Sequence, residues 1–394
     1  MKKLLVYLKT YKKETILAPL FKMLEALFEL FVPLVIAAII DTGIENKDVP
    51  YIVRMAIVLV VLAIVGLTCS LTAQYFSAKA AVGFAAKLKS ALFAHIESLS
   101  FKEIDTLGTS TLITRMTSDI NQVQSGVNLV LRLFLRSPFI VFGAMIMAFT
   151  IDVKAALIFV VAIPLLAIVV FGIMLVSIPL FKKVQGALDS VLGITRQNLT
   201  GVRVIRAFNN EQSEIENFDE KNAVLTGLQK FVGKISALMN PVTFIIVNGA
   251  IAALIWVGAL RVDAGILSQG QVVALVNYMS QILVELVKLA NLIITVTKAV
   301  ACGNRIQSVF EIKSSMEEGS RRYSASSEDD YSIEFKNVNL CYNEGADSSL
   351  TGIDFSVRKG ETVGIIGGTG SGKSSLVGLI PRFYDATQGQ VLVD

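Results

Sequence analysis

Uncharged apolar runs long enough to cross a membrane recur along this sequence. Four of them cover Met55–Ala78, Ala155–Phe181, Ile235–Leu260 and Ala264–Val284, and about 20 such residues in a helix cross the hydrocarbon core. Apolar residues make up 53% of the chain and charged residues 17%, against about 25% charged in soluble domains. So much apolar surface excludes a disordered chain and predicts burial in a bilayer.

Two further apolar spans contain charged residues. The first carries Lys22, Glu25 and Glu29, and the other carries Arg132 and Arg136 near its start. We expect these two arginines to extend to the nearer membrane interface. The six predicted spans cover residues 16–40, 51–76, 129–151, 155–181, 236–260 and 265–297, within a membrane domain of residues 15–310.

The distribution of lysine and arginine predicts the orientation. These residues are concentrated in 77–128 and 182–235 and are sparse in the other loops between spans. The positive-inside rule therefore places the N-terminus and both long segments in the cytoplasm. Apolar residues at helical spacing predict helices over Ala80–Glu97 and Gly186–Phe208. The basic residues 1–14 predict an amphipathic helix on the membrane surface.

Several classes of function are excluded by composition. His95 is the only histidine, which excludes a multi-histidine zinc site within the chain, and the three cysteines have no metal-ligand or redox spacing. A net charge of +4 is too small to indicate a nucleic-acid partner.

A change of composition marks a second domain. Residues 311–332 are polar and serine-rich, which predicts a linker. From residue 333 to 394 the pattern becomes strand-like, which indicates a soluble domain.

A phosphate-binding motif lies in this second domain. The motif G-x-x-x-x-G-K-[ST] is matched by Gly367, Gly368, Thr369, Gly370, Ser371, Gly372, Lys373 and Ser374. We expect a strand over Glu361–Ile366 before it and a helix over Ser374–Ile380 after it. Glycines let backbone N–H groups surround phosphates, and the helix N-terminus adds its dipole. In such loops the lysine contacts the β- and γ-phosphates and the serine hydroxyl binds Mg²⁺.

Tyr342 lies 25 residues before this loop, at the end of a strand-like run. An aromatic ring at this place can stack on adenine, and it can equally be an ordinary half-buried strand residue. The residue pattern alone favours neither interpretation.

Six spans, long helical extensions, a polar linker and an aromatic residue followed by GGTGSGKSS resemble an ABC transporter of the exporter type. Leu99–Gln122 is similar to the first cytoplasmic loop of these exporters, and Asn198–Asn222 is similar to the second. The resemblance implies short coupling helices near Ser100–Thr109 and Gly201–Glu211. It also implies that Tyr342 stacks on adenine and that Ser375 belongs to the nucleotide site with the loop residues.

The implied fold is a mainly α membrane protein with six transmembrane helices and long cytoplasmic helical extensions, followed by a partial α/β P-loop nucleotide-binding domain. The implied function is ATP-driven export of amphipathic drugs, lipids or peptides by a dimer of half-transporters in the cell membrane, with ATP and Mg²⁺ as cofactors. The signature, Walker B and switch-histidine motifs of the family would follow Asp394. We therefore expect a fragment of a longer ATPase, with no catalytic residue of its own.

Glu25 and Glu29 share a helix face with Lys22. One interpretation is a substrate cavity that accepts cationic amphipathic compounds, since charges within the membrane usually face a protein interior or water. An equally weighted alternative is pairing with Lys22 that only shapes the bundle. For Glu285 and Lys288 on the sixth span, the structural interpretation is favoured.

Two other classes of function compete with export. A nucleotide-binding membrane regulator or inactive half would carry the same phosphate loop, since the loop reports binding and not turnover. A membrane-bound kinase needs an acceptor-binding lid and leaves the two long cytoplasmic segments unexplained.

Overall fold

A computed structural model describes residues 2–316, 331–342 and 348–393. The predicted linker, residues 311–332, lies largely outside this part. The predicted fold class is confirmed: six helical stretches are long and apolar enough to cross a membrane, and a small antiparallel sheet follows them. The chain divides into two compact units, a membrane bundle (10–82 and 125–298) and a second unit (1–9, 83–124 and 299–394).

The helices are α1 (Lys12–Ala38), α2 (Val49–Glu97), α3 (Phe101–Leu107), α4 (Thr109–Thr114), α5 (Ile120–Leu133), α6 (Arg136–Ile151), α7 (Val153–Ala207), α8 (Glu211–Ala237), α9 (Met239–Asp263), α10 (Gln269–Glu311) and α11 (Lys373–Leu379). A 3₁₀-helix covers Lys2–Tyr11, and π-helical turns cover Ile39–Ile44 and Arg115–Asp119. The strands are β1 (Tyr331–Leu340), β2 (Leu350–Arg358) and β3 (Gln388–Val393).

Small residues and buried polar contacts hold the membrane bundle together. The Tyr278 hydroxyl, fully buried on α10, donates to the Leu30 carbonyl of α1 at 2.6 Å. At the start of α10, the Asp41 carboxylate accepts from the Gly270 amide at 2.7 Å. A side chain at Gly270 would lie 2.4 Å from the Ala37 carbonyl oxygen, so glycine permits this close approach of the two helices.

The third predicted span differs from the expectation. It is broken at residues 134 and 135, between α5 and α6, and Arg136 begins the second part. The prediction that Arg136 reaches the membrane interface is wrong, because its side chain exposes only 8% of its surface and pairs with Glu29 and Glu285. Internal carboxylates replace the water that an interface would supply.

In the second unit, the sheet has the order β2-β1-β3 with both pairings antiparallel. Phe335 on β1 lies opposite Phe355 on β2 and Val391 on β3. The two phenylalanine rings stack with centroids 4.6 Å apart. These residues form a small core with Leu379 of α11.

The expected strand over Glu361–Ile366 is not formed. In the described part of the chain, β1 pairs with β2 and β3, and no strand pairs with these residues. Val363, Ile365 and Ile366 remain exposed, with Ile366 98% accessible. Apolar residues form a buried strand only where neighbouring strands satisfy their backbone groups, so the sequence pattern alone was insufficient.

The two expected coupling helices have different outcomes. Near Ser100–Thr109 the structure contains α3, a separate short helix. Near Gly201–Glu211 no separate short helix is present, because α7 continues to Ala207 and the chain turns at residues 208–210 into α8. Asn209 takes a positive φ of 50° there, a conformation that asparagine tolerates better than most residues.

Candidate functional site

The phosphate loop holds its lysine against its own backbone. Lys373 Nζ donates to the carbonyl oxygens of Gly367 at 2.7 Å and Gly368 at 2.6 Å, and to Ser371 Oγ at 3.2 Å. The cationic group therefore lies within the loop that the motif predicts to bind phosphates.

Backbone geometry explains the glycines of the loop. Gly370 and Gly372 have φ values of 83° and 82°, which side-chain-bearing residues rarely adopt. A Cβ at Gly372 would lie 2.9 Å from the Ser349 carbonyl oxygen, and one at Gly367 would lie 2.6 Å from Ser371 Oγ. Helix α11 begins at Lys373, so the last two residues of the motif form its first turn. The glycine loop, its lysine and the helix that follows fit a nucleotide phosphate chain and its Mg²⁺.

Tyr342 lies beside this loop although it precedes Gly367 by 25 residues in the sequence. Its hydroxyl donates to Ser375 Oγ at 2.9 Å. The structure thus brings together the predicted adenine-side residue and the predicted phosphate-side residues. Stacking on adenine itself remains a prediction.

Tyr384 is a neighbour that the sequence patterns did not identify. Its ring meets the Tyr342 ring edge-on, with centroids 4.9 Å apart. Its hydroxyl donates to Asp105 Oδ2 of α3 at 2.5 Å. This hydrogen bond, together with burial, raises the pKa of Tyr384 to about 12, so the phenol is neutral over the physiological range.

A capped N-terminus and an aromatic contact position α3. The Ser100 amide donates to Glu103 Oε2 at 3.2 Å, and the Ser100 hydroxyl donates to the same carboxylate. Burial acts to raise the pKa of Glu103, but hydrogen bonds from Ser100 and Ser315 outweigh it and lower that pKa. The Phe101 ring lies 4.7 Å from that of Phe383. The Ser-x-x-Glu spacing of Ser100 and Glu103 is a local signal from which this helix start could have been predicted.

Comparison with known proteins identifies the family. Residues 15–286 match the family described as ABC transporter transmembrane region, and residues 350–394 match the family described as ABC transporter. An uncharacterized ABC transporter ATP-binding protein of Mycobacterium tuberculosis is 32% identical over 389 residues, which cover 98% of this chain and 67% of the relative. The chain belongs to the ABC transporter family.

Two further relatives cover different shares of this transporter. An uncharacterized ABC transporter ATP-binding protein of Bacillus subtilis is 31% identical over 100% of this chain and 68% of its own length. An ATP-dependent lipid A-core flippase of Desulfotalea psychrophila is 30% identical over 73% of this chain and 50% of its own length. The chain thus spans about two thirds of the length of the two relatives that match nearly all of it.

Within the membrane bundle of the transporter, Glu25 is paired with Lys22. The Lys22 ammonium donates to Glu25 Oε2 at 2.6 Å and to Ser70 Oγ of α2 at 3.1 Å. This is the pairing that the structural interpretation expected. Glu29 does not share this lysine, because it pairs elsewhere.

Glu29 takes part in a second ion-pair group, centred on Arg136. The Arg136 guanidinium donates to Glu29 at 2.6 Å and to Glu285 at 2.7 Å. Glu285 also accepts from Ser137 Oγ and from Lys288 Nζ, each at 2.8 Å. The Lys288–Glu285 pair was expected from helical spacing, whereas the link to Arg136, 149 residues away, had no local signal.

Proposed function

We propose that the protein exports amphipathic small molecules, such as drugs, lipids or peptides, across the cell membrane at the expense of ATP, as one half of a dimeric transporter. The observation that carries the proposal is the Tyr342–Ser375 contact beside a complete phosphate loop, in a chain with six apolar membrane helices. Family membership supports ATP-coupled transport in general. The finer assignments concern the site residues, the partner and the substrate.

At the nucleotide site, Tyr342 would stack on adenine, and the loop from Gly367 to Ser375 would bind the phosphates. Ser374 would supply a hydroxyl ligand for Mg²⁺. Bound ATP would supply the electrophilic phosphoryl group and Mg²⁺ would polarise it, while the residues of this chain would hold and orient the nucleotide. The hydrolytic residues are expected elsewhere in the whole protein.

Exposed apolar residues near the turn between α7 and α8 are the basis for proposing a dimer. Leu199, Val204 and Phe208 expose 73%, 60% and 79% of their surfaces at the end of α7. We propose that a second half-transporter covers this surface with its nucleotide-binding domain, since a six-span half supplies only part of a translocation pathway. The N-terminus and nucleotide domain would be cytoplasmic, as the distribution of basic residues predicts.

The decisive test compares Lys373→Ala with the unchanged full-length protein in proteoliposomes that enclose no ATP. We expect ATP-dependent uptake of a fluorescent amphipathic cation or lipid analogue to fall at least 100-fold, because the ammonium that contacts the phosphates is lost. Lys336→Ala is the matched control, since Lys336 lies on β1 and pairs with Glu334. Nucleotide binding without any ATP-dependent movement of substrate by the unchanged protein would instead indicate a regulator.

A further inference from the structure

The side chains of Tyr342 and Ser375 connect the two ends of the proposed nucleotide site. Tyr342 follows β1, on the side where adenine is expected, and Ser375 lies in the first turn of α11, beside the phosphate loop. The Tyr342 hydroxyl donates to Ser375 Oγ at 2.9 Å. One hydrogen bond therefore joins a residue expected to contact the base to a residue expected to contact phosphate.

This hydrogen bond leaves the proton of the Ser375 hydroxyl available to a ligand. A serine hydroxyl can donate one hydrogen bond and accept two. Ser375 accepts from Tyr342, and its hydroxyl donates to no atom in the part of the chain that the structure describes. Two other helical serines, Ser190 and Ser280, each donate to the carbonyl oxygen four residues earlier, at 3.1 Å. Ser375 differs from them, so its proton can serve a phosphate oxygen held by the loop.

Tyr342 is itself held at two points. Its hydroxyl contacts Ser375, and its ring meets the Tyr384 ring edge-on, with centroids 4.9 Å apart. The Tyr384 hydroxyl in turn donates to Asp105 of α3 at 2.5 Å. A side chain that is already restrained loses little conformational freedom when it orients a second group. Tyr342 is therefore suited to set the direction of the Ser375 hydroxyl.

We propose that Tyr342 is a positioning residue for the phosphates of the nucleotide, in addition to its role at the base. Its hydroxyl occupies one lone pair of Ser375 Oγ, and the Ser375 proton is thereby directed to a phosphate oxygen. Hydrogen bonds to charged acceptors are stronger than those between neutral groups, so the orientation of this donor affects affinity. The role rests on the proposed nucleotide site and separates the hydroxyl of Tyr342 from its ring.

The test measures ligand affinity of the full-length protein in nanodiscs with Mg²⁺, by competition with a fluorescent ATP analogue whose own affinity is determined for each variant. The competitors are β,γ-imido-ATP, which is not hydrolysed, adenosine, which has no phosphate, and inorganic tripolyphosphate, which has no base. Tyr342→Phe keeps the ring and removes only the hydroxyl. We expect the affinities for tripolyphosphate and imido-ATP to fall about five-fold, the effect of one ordinary hydrogen bond, while that for adenosine stays within about two-fold.

Tyr331→Phe is the matched control. It removes a hydroxyl from the other end of β1, where Arg358 lies 5.9 Å from the centre of the Tyr331 ring. All three affinities should stay unchanged in this variant. For Tyr342→Phe, an unchanged affinity for tripolyphosphate would overturn the proposal, because the tyrosine would then serve the base alone. An equal loss for adenosine would also overturn it, since the whole site would be disturbed.

Variants of Ser375 test whether Tyr342 acts through this residue. Ser375→Ala should weaken tripolyphosphate binding by about ten-fold or more, because a hydrogen bond to a charged acceptor is lost. Adding Tyr342→Phe to it should lower the affinity by no more than about two-fold, since the two residues form one unit. Ser375→Thr keeps a hydroxyl and should preserve both the affinity and its dependence on Tyr342. An undiminished effect of Tyr342→Phe in the Ser375→Ala protein would contradict the link.

ATP-dependent transport is measured separately on the same preparations. Coupled effects of Tyr342 and Ser375 on binding, without any transport by the unchanged protein, would contradict the export function and leave the role of Tyr342 standing. Transport by the unchanged protein together with independent effects of the two residues would contradict the positioning role and leave export standing.

Discussion

Arg136 in the membrane bundle and Arg382 near the phosphate loop each use two guanidinium nitrogens to contact carboxylates at similar distances. Arg136 contacts Glu29 and Glu285 at 2.6 and 2.7 Å, and Arg382 contacts Asp385 at 2.6 and 3.1 Å. Their surroundings differ. The side chain of Arg136 is 8% exposed and that of Arg382 is 51% exposed.

Two ion pairs of similar geometry can therefore contribute very differently to the free energy of unfolding. Water competes for an exposed guanidinium, so such a pair contributes about 0–1 kcal/mol. Removing one partner of a buried pair leaves an uncompensated charge and costs about 3–5 kcal/mol. The same contact is therefore a structural requirement in one unit of the transporter and close to dispensable in the other.

The largest effect is expected for Arg136→Met. The free energy of unfolding should fall by about 3–5 kcal/mol, because Glu285 stays buried with Lys288 as its remaining cation. Unfolding by dodecyl sulfate in mixed micelles measures the change, and Arg382→Met in the same protein is the control. Equal losses for the two variants would remove the distinction between the sites.

The double variant Arg136→Met, Glu285→Gln should recover at least half of that loss. Neutralising the carboxylate removes the buried charge that Arg136 no longer helps to balance, and replacing both partners of a buried pair is often close to neutral. The same unfolding assay measures the coupling between the two sites. Additive losses would show that Glu285 does not depend on Arg136.

The two glutamates that pair with Arg136 should contribute differently to the free energy of unfolding. Glu285→Gln should cost about 1–3 kcal/mol more than Glu29→Gln, because Glu285 is 3% exposed and Glu29 is 40% exposed. Unfolding of the two single variants, compared under identical micelle conditions, tests this order. A larger loss for Glu29→Gln would contradict burial as the deciding factor.

Tyr384→Phe should have an intermediate effect of about 0.5–1.5 kcal/mol, the usual contribution of one hydrogen bond. Because the pKa of Tyr384 is raised from 10.0 to about 12, this stabilisation is fully present below about pH 10 and is lost as the pH rises through 12. Absorbance at alkaline pH follows tyrosine ionisation. A variant that loses an early-titrating tyrosine instead of a late one would refute the assigned hydrogen bond.

The smallest effect is expected for Arg382→Ala. The free energy of unfolding should change by less than about 1 kcal/mol, and this small change should diminish further in high salt, since exposed pairs are screened. Thermal unfolding at low and high ionic strength measures both quantities. A loss as large as that of Arg136→Met would refute the comparison.

The sequence patterns predicted the helical part of the fold well because its signals are local. Apolar runs and the i, i+3 pairs Lys22–Glu25 and Glu285–Lys288 depend on residues close together in the chain. The strand over Glu361–Ile366 was predicted wrongly for the complementary reason. A strand needs partners elsewhere in the sheet, and alternation of residues does not supply them.

In the candidate nucleotide site, too, local features were predictable from the sequence and long-range contacts were not. The phosphate loop was readable from eight consecutive residues, since local backbone freedom and a lysine define it. The place of Tyr342 beside Ser375 required the folded chain, and the contact of Tyr384 with Asp105 carried no pattern at all.

By itself, the sequence determined that this chain builds membrane helices and a phosphate loop, because hydrophobic length and glycine conformational freedom are properties of short segments. The tertiary structure alone decided where the membrane charges go. Arg136 could face an interface or a carboxylate, and only the packing of α1, α6 and α10 brings Glu29 and Glu285 within 2.7 Å of its guanidinium. Charge pairing in a low-dielectric interior depends on distance in space, which the order of residues does not specify.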